Sequence, residues 1–78
     1  MEFVRRLGSG PRARGSLNDV TCPDIFELSD GRFAVIGTDM TAELDGSLPA
    51  DAARGHDERI VVITRETLIS AKWDIPDR

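Results

Sequence analysis

Cys22 and His56 are the single thiol and the single imidazole of the chain, so they are the first candidates for nucleophilic chemistry. A catalytic cysteine needs a lowered pKa and a neighbouring base, and His56 is the one imidazole that can act as that base. Because a free cysteine is among the most buried residue types, we interpret Cys22 as a small core residue at a strand start. His56 is interpreted as a surface side chain in a polar loop. A small Cys-dependent enzyme or redox protein is kept as the second alternative function.

Acidic and glycine-rich segments offer little support for a metal or phosphate site. Asp39 and Glu43 are four residues apart and would share a helix face, with Asp45 close behind. The segment nevertheless lacks the Asp-x-Asp-x-Asp-Gly spacing of a calcium loop. Gly8-Ser-Gly10 has neither the lysine nor the third spaced glycine of a phosphate-binding loop. With one cysteine and one histidine no zinc cage is expected, so the sequence predicts no catalytic, cofactor or metal residue and no enzyme.

Four arginines near the N-terminus form a basic arm: Arg5, Arg6, Arg12 and Arg14. Residues 1–15 carry a charge of +3, residues 16–58 carry -8 and residues 59–78 carry +1, for a total of -4. The arm is expected either to lie on the acidic face of its own or a neighbouring chain, or to contact an external polyanion. Nucleic-acid binding through this arm is the first alternative function, although the overall acidity and the scarcity of aromatic stacking partners argue against it.

Trp73 is the single tryptophan and lies beside Asp74 near the C-terminus. It is expected either to pack onto a sheet or to stand at an interface, where tryptophan is enriched. Trp73 and the four arginines of the basic arm are therefore the candidate interaction residues.

Seventy-eight residues allow one small domain, spanning 1–78, with a marginal core. Association with a partner protein or a second copy is the remaining common way to stabilise such a chain. No apolar run approaches the roughly 20 residues of a membrane helix, and no signal peptide is recognisable. A lone cysteine fits the reducing cytoplasm, which is the expected location.

The clearest element is a β-hairpin. Asp24 to Leu28 alternates as a strand, Ser29 to Arg32 forms a turn, and Phe33 to Gly37 is the return strand. Asp30-Gly31 predicts a type I′ turn. Because the return strand is apolar on both faces, it is expected to be the central strand of a small sheet.

The remaining segments are shorter or less regular. Glu2–Leu7 is predicted to be a short edge strand, and a flexible Gly/Ser/Arg loop follows at about 8–19. One or two helical turns are expected at 39–44. A long loop is expected at about 45–58, with a helical turn at 49–54 as one option.

The C-terminal part predicts a strand followed by a helix. Residues 58–63 are rich in β-branched side chains and predict a strand. Thr64 suits the N-cap of a helix over about 65–72, with Glu66 in its first turn and Leu68 and Ile69 directed toward the sheet. The expected fold class is therefore α+β and β-rich: a small antiparallel sheet of three to five strands, or a barrel-like roll, with one short C-terminal helix.

Three groups of residues occur in an order that is similar to a known family: Phe3-Val-Arg-Arg-Leu-Gly-Ser-Gly10; Cys22 with Glu27-Leu28, Asp30-Gly31, Ala34-Val35 and Asp39; and Ile60-Val-Val-Ile-Thr64 with Glu66 and Leu68. They resemble the BldB-like family of small actinobacterial proteins of unassigned function, which are usually encoded beside helix-turn-helix regulators of the Xre type. The chain departs from that family in a longer stretch at 40–58 and in Leu68, where the family tends to place a tryptophan.

The resemblance implies a small non-enzymatic accessory protein that acts by protein–protein contact. The implied partner is a helix-turn-helix transcription regulator, and the resemblance also implies self-association. The main functional hypothesis is therefore an interaction or regulatory protein, with nucleic acid disfavoured as a partner and no membrane partner.

Overall fold

The computed structural model describes residues 1–8 and 23–78. Its strands and helices, in chain order, are β1 (Phe3–Arg6), β2 (Asp24–Leu28), β3 (Phe33–Ile36), β4 (Thr38–Asp39), α1 (Thr41–Leu44), β5 (Val61–Val62) and α2 (Arg65–Ala71). Two short 3-10 turns follow the helices, at Asp45–Ser47 and Lys72–Asp74. The strands form a three-stranded antiparallel sheet in the order β1-β2-β3 and a separate antiparallel pair, β4-β5. The α+β class is thus confirmed, and the described strands form open sheets rather than the barrel-like alternative.

The β2–β3 hairpin is confirmed, but its turn differs from the expectation. The N–H of Gly31 donates to the carbonyl of Leu28 at 3.1 Å, and the N–H of Leu28 donates to the carbonyl of Arg32 at 2.9 Å. Gly31 has a φ of +90°, whereas Asp30 has no positive φ, so the predicted type I′ turn is wrong. The loop instead has three residues and ends on a left-handed glycine, a common hairpin geometry.

The order of the strands corrects a second expectation. β2, not β3, is the central strand, because β1 pairs with its other edge. Two cross-strand ion pairs hold β1 there: Arg5 Nε lies 2.7 Å from Glu27 Oε1, and Arg6 Nε lies 2.9 Å from Asp24 Oδ2. β1 is an edge strand as predicted, and its register shifts between Phe3 and Arg5.

Helix α2 covers one face of the three-stranded sheet. As predicted, Thr64 is the N-cap, and its Oγ1 accepts a hydrogen bond from the N–H of Thr67 at 3.2 Å. The helix buries Thr67 and Ala71, whereas Leu68 and Ile69, both expected to face the sheet, are exposed and lie outside the core. Small side chains four residues apart permit a close approach to the sheet, and the larger neighbours then lie outside the contact.

The core of the described residues is small. Leu7 on the end of β1, Ile25 on β2 and Ala71 on α2 are the buried apolar side chains, and Ile63 packs against them. Leu7 also donates its N–H to the carbonyl of Ile25 at 2.9 Å, which extends the β1–β2 pairing to the core.

The segment between α1 and β5 is largely irregular, as expected for the long loop at 45–58. The strand expected over 58–63 is reduced to Val61–Val62, and the possible helical turn at 49–54 is reduced to one turn in which Ala52 N–H donates to Pro49 O at 3.0 Å. The predicted flexible loop at 8–19 lies outside the described residues except for Gly8. No helix among the described residues has the length and apolar character needed to cross a membrane.

Candidate interaction surface

An apolar groove lies between α2 and the sheet face that the helix covers. The three core residues Leu7, Ile25 and Ala71 form its floor, and three exposed side chains form its rim: Phe33, Leu68 and Ile75. The groove has a volume of about 190 Å³, and each of its six lining side chains is apolar. It is therefore suited to apolar groups rather than to a charged or polar ligand.

Trp73 lies on the 3-10 turn that follows α2, two residues before the groove residue Ile75, and its side chain is 87% exposed. Two hydrogen bonds tie the turn to the end of β1. The N–H of Gly8 donates to Asp74 Oδ2 at 2.7 Å, and Arg5 Nη2 donates to the Asp74 carbonyl at 2.8 Å. Lys72 Nζ lies 5.0 Å from the centroid of the indole ring. Of the two expectations for Trp73, packing onto the sheet is wrong, and an anchored, solvent-facing position is what the fold provides.

The arginines of the basic arm do not converge on a ligand. Arg5 is bonded to Glu27 and to the Asp74 carbonyl, so it supports the turn that carries Trp73. Arg6 Nε donates to both carboxylate oxygens of Asp24, at 3.1 and 2.9 Å. The guanidinium carbon of Arg6 lies 5.1 Å from the ring centroid of Phe26. These two arginines thus pair with acids of their own chain. Arg12 and Arg14 lie outside the described residues.

A second cavity, of about 520 Å³, is shallow and charged, and it includes His56. Its walls combine carboxylates with guanidinium groups. One of the carboxylates is already bonded: Asp39 Oδ1 accepts a 2.7 Å hydrogen bond from Thr41 Oγ1, and that bond lowers the pKa of Asp39. Within 1–8 and 23–78, no three His, Cys, Asp or Glu side chains are grouped to hold a metal ion. Cys22 lies outside the described residues, so the pairing of its thiol with the His56 imidazole stays a prediction.

The groove was not among the features predicted from the sequence. A signal was present, because four large apolar residues follow Thr64 within twelve positions: Leu68, Ile69, Trp73 and Ile75. A seven-residue helix and the short turn after it cannot direct all four side chains onto one sheet. The side chains that cannot reach the sheet are expected to form an exposed apolar surface.

Comparisons with protein-family models, with curated proteins and with solved structures found no match. The resemblance to the BldB-like family therefore stays a prediction. A functional assignment has to rest on the geometry and chemistry of the groove and of Trp73.

Proposed function

We propose that this chain is a non-enzymatic cytoplasmic interaction protein that binds a partner protein through the apolar groove and Trp73. A helix-turn-helix transcription regulator is the proposed partner, as the family resemblance implies. The proposal rests above all on an 87% exposed tryptophan on a turn that the hydrogen bonds of Asp74 tie to β1, two residues before the groove residue Ile75.

An exposed tryptophan next to exposed aliphatic side chains supports a binding role. Tryptophan is enriched among the residues that contribute most to protein–protein binding, and contiguous apolar patches on small proteins mark interaction sites. The 3-10 turn of Trp73 is already tied to β1, so less conformational freedom is lost when a partner covers it.

Charge supports a basic partner. Glu43, Asp51 and Asp57 are exposed and have no ion-pair partner among the described residues. These carboxylates lie in the segment that carries most of the negative charge. DNA-binding proteins are commonly basic, and opposite charges increase the rate of association.

The test is retention of a regulator by purified tagged protein in a native lysate, with identification by mass spectrometry. The wild-type chain is expected to retain a helix-turn-helix regulator, and Trp73→Ser is expected to lower its affinity at least about tenfold, as for a central interface tryptophan. Leu44→Ser is the matched control, because Leu44 is an exposed apolar residue that does not line the groove. Failure to retain a regulator, or equal loss in both variants, would contradict the proposal.

A second measurement uses the protein's own fluorescence. Trp73 is the single tryptophan and the chain has no tyrosine, so this chain's contribution to the emission comes from Trp73, and a partner without tryptophan leaves that signal unmixed. Binding at the groove is expected to shift the emission to shorter wavelength and to reduce quenching by iodide, because the partner removes the indole from water. An unchanged spectrum in a saturated complex would place the contact elsewhere.

A further inference from the structure

The two edges of the three-stranded sheet differ in how they are protected. β1 carries two arginines and an irregular register at Val4, features that discourage pairing with another strand. β3 has the sequence Phe-Ala-Val-Ile, with no charge, no proline and an unbroken register. Phe33, Val35 and Ile36 are all exposed on it. An edge strand of this kind is a ready template for another strand.

The hydrogen-bond pattern identifies the backbone groups that β3 presents outward. Leu28 N–H donates to the Arg32 carbonyl, so these two form a bonded pair. Bonded pairs alternate along an antiparallel ladder, which makes Ala34 the next bonded residue of β3, opposite Phe26. The N–H and C=O groups of Phe33 and Val35 therefore point away from β2. Within the described ranges they have no hydrogen-bond partner.

We propose that two copies of this chain associate by antiparallel pairing of β3 with β3. A two-fold axis at Ala34 places Phe33 opposite Val35 of the second copy, and Val35 opposite Phe33 of the second copy. The outward N–H and C=O groups of both residues then form four new backbone hydrogen bonds. The product is one six-stranded sheet in which the unprotected edges are paired.

A second copy fits this edge because the pairing is self-complementary. Each Phe33 meets a β-branched Val35, a favourable cross-strand combination, and this contact occurs twice. Ala34 meets itself at the non-hydrogen-bonded position, where side chains are closest and a small residue fits. Although each chain carries a net charge of -4, residues 33–36 are uncharged, and the neighbouring Asp30 and Arg32 are paired at 2.7 Å. No like charges are therefore brought together in the strand contact.

This association and the proposed binding of a regulator share Phe33, which lies on β3 and on the rim of the groove, but the copy–copy hydrogen bonds use only backbone groups of β3. The two-fold axis is perpendicular to the sheet, so both α2 helices lie on the same face. Trp73 lies on the turn after α2, not on β3, and stays in solvent. Loss of the copy–copy contact and loss of regulator binding therefore have different readouts.

The first test is the solution mass by light scattering across a dilution series. At high concentration we expect twice the 8.6 kDa of one chain, falling toward a single chain on dilution because a contact of four residues per strand is small. Val35→Lys is expected to give a single-chain mass throughout. Val4→Lys is the matched control, since it adds the same charge to the exposed residue of the opposite edge, and it should keep the doubled mass. Far-ultraviolet circular dichroism confirms that both variants fold.

The second test is a cross-link at the two-fold axis. In a Cys22→Ser background, Ala34→Cys is expected to form a disulfide-linked dimer under mild oxidation, whereas Val4→Cys is not. A single-chain mass of the wild type at every concentration, a doubled mass that survives Val35→Lys, or equal cross-linking at positions 34 and 4 would each overturn the proposal. Trp73 emission should not change on dilution; a change would place Trp73 in the copy–copy contact and overturn the β3 pairing.

Discussion

Gly37 lies where the chain leaves the three-stranded sheet and enters the β4–β5 pair. A Cβ atom at this position would stand 2.6 Å from the carbonyl oxygen of Val62 and 3.0 Å from Cγ2 of Ile63. The first of these contacts is with backbone, which cannot move aside as the end of a long side chain can. Since Ile63 packs against the core, any shift at Gly37 reaches Leu7, Ile25 and Ala71.

Replacement of Gly37 by alanine is therefore expected to lower the free energy of unfolding by about 1–3 kcal/mol, the usual cost of overpacking. Gly46→Ala is the control, because a Cβ at Gly46 has open space around it and its φ is not positive. That substitution should be neutral or slightly stabilising. Urea unfolding of both variants, at one protein concentration, measures the difference, and equal losses would show that the close approach at Gly37 is unimportant.

Arg54 links the two ends of the irregular segment between α1 and β5. Arg54 donates from Nε and Nη2 to the two carboxylate oxygens of Asp45 at 3.1 and 3.2 Å. Its Nη1 donates to the carbonyls of Gly55 and Glu58 at 3.1 and 3.0 Å. One guanidinium group thus connects the 3-10 turn at the start of this irregular segment to its last residues. Such a connection gives a loop a defined shape without regular secondary structure.

The contact between Arg54 and Asp45 predicts that the stability of the fold depends on pH. The hydrogen bonds of Arg54 to the Asp45 carboxylate lower the pKa of Asp45 below the ordinary value of 3.8. The unfolded chain then binds a proton more readily than the folded chain, so the stabilisation is complete above pH 3.8 and is lost as the pH falls through the lower folded value. In Arg54→Gln the titration midpoint of Asp45, measured by carboxyl NMR, should rise toward 3.8.

The stability difference between the wild type and Arg54→Gln should accordingly be larger at pH 7 than at pH 3. Arg65→Gln is the control, because it removes the same charge from an exposed arginine that has no ion-pair partner among the described residues. An Asp45 midpoint that does not move in Arg54→Gln would refute the assigned cause.

The described part of the protein combines a small core with a large apolar exterior. Three apolar side chains are buried, whereas thirteen large apolar side chains are exposed. Chains of this size rarely obtain more than about 3–5 kcal/mol from one core, and association is a common supplement. The apolar groove, Trp73 and the free edge of β3 account for much of the exposed set. Both proposed contacts would therefore cover surface that the single chain leaves in water.

Substitution of Leu7 measures how strongly the stability of the fold depends on this core, since Leu7 packs between β1, β2 and α2. Leu7→Ala is expected to cost about 2–5 kcal/mol, enough to unfold much of the population at room temperature. Ile69→Ala truncates a side chain that is 60% exposed and should cost no more than about 0.5 kcal/mol. Thermal unfolding followed by circular dichroism provides the comparison, and similar melting temperatures for the two variants would contradict the assigned core.

Short-range sequence signals were sufficient for the hairpin, the edge strand β1 and the N-cap of α2. Each signal depends on residues a few positions apart: the alternation of β2, Gly31 in its turn, and Thr64 three residues before Thr67. Such local interactions act in the same way in any surrounding fold. The α+β class followed from these elements, because one hairpin and one capped helix leave few other arrangements for so short a chain.

Contacts between residues far apart in the chain set the strand order, the buried face of α2 and the exposure of Trp73. An apolar strand fits an edge as well as a centre, so the ion pair of Arg5 with Glu27, twenty-two residues away, was needed to place β1 beside β2. The face of α2 was set by steric fit, since Thr67 and Ala71 allow the close approach that Leu68 would prevent. Trp73 was placed in solvent by hydrogen bonds from Gly8 and Arg5 to Asp74, and a pairing of that kind has no signature in the local sequence.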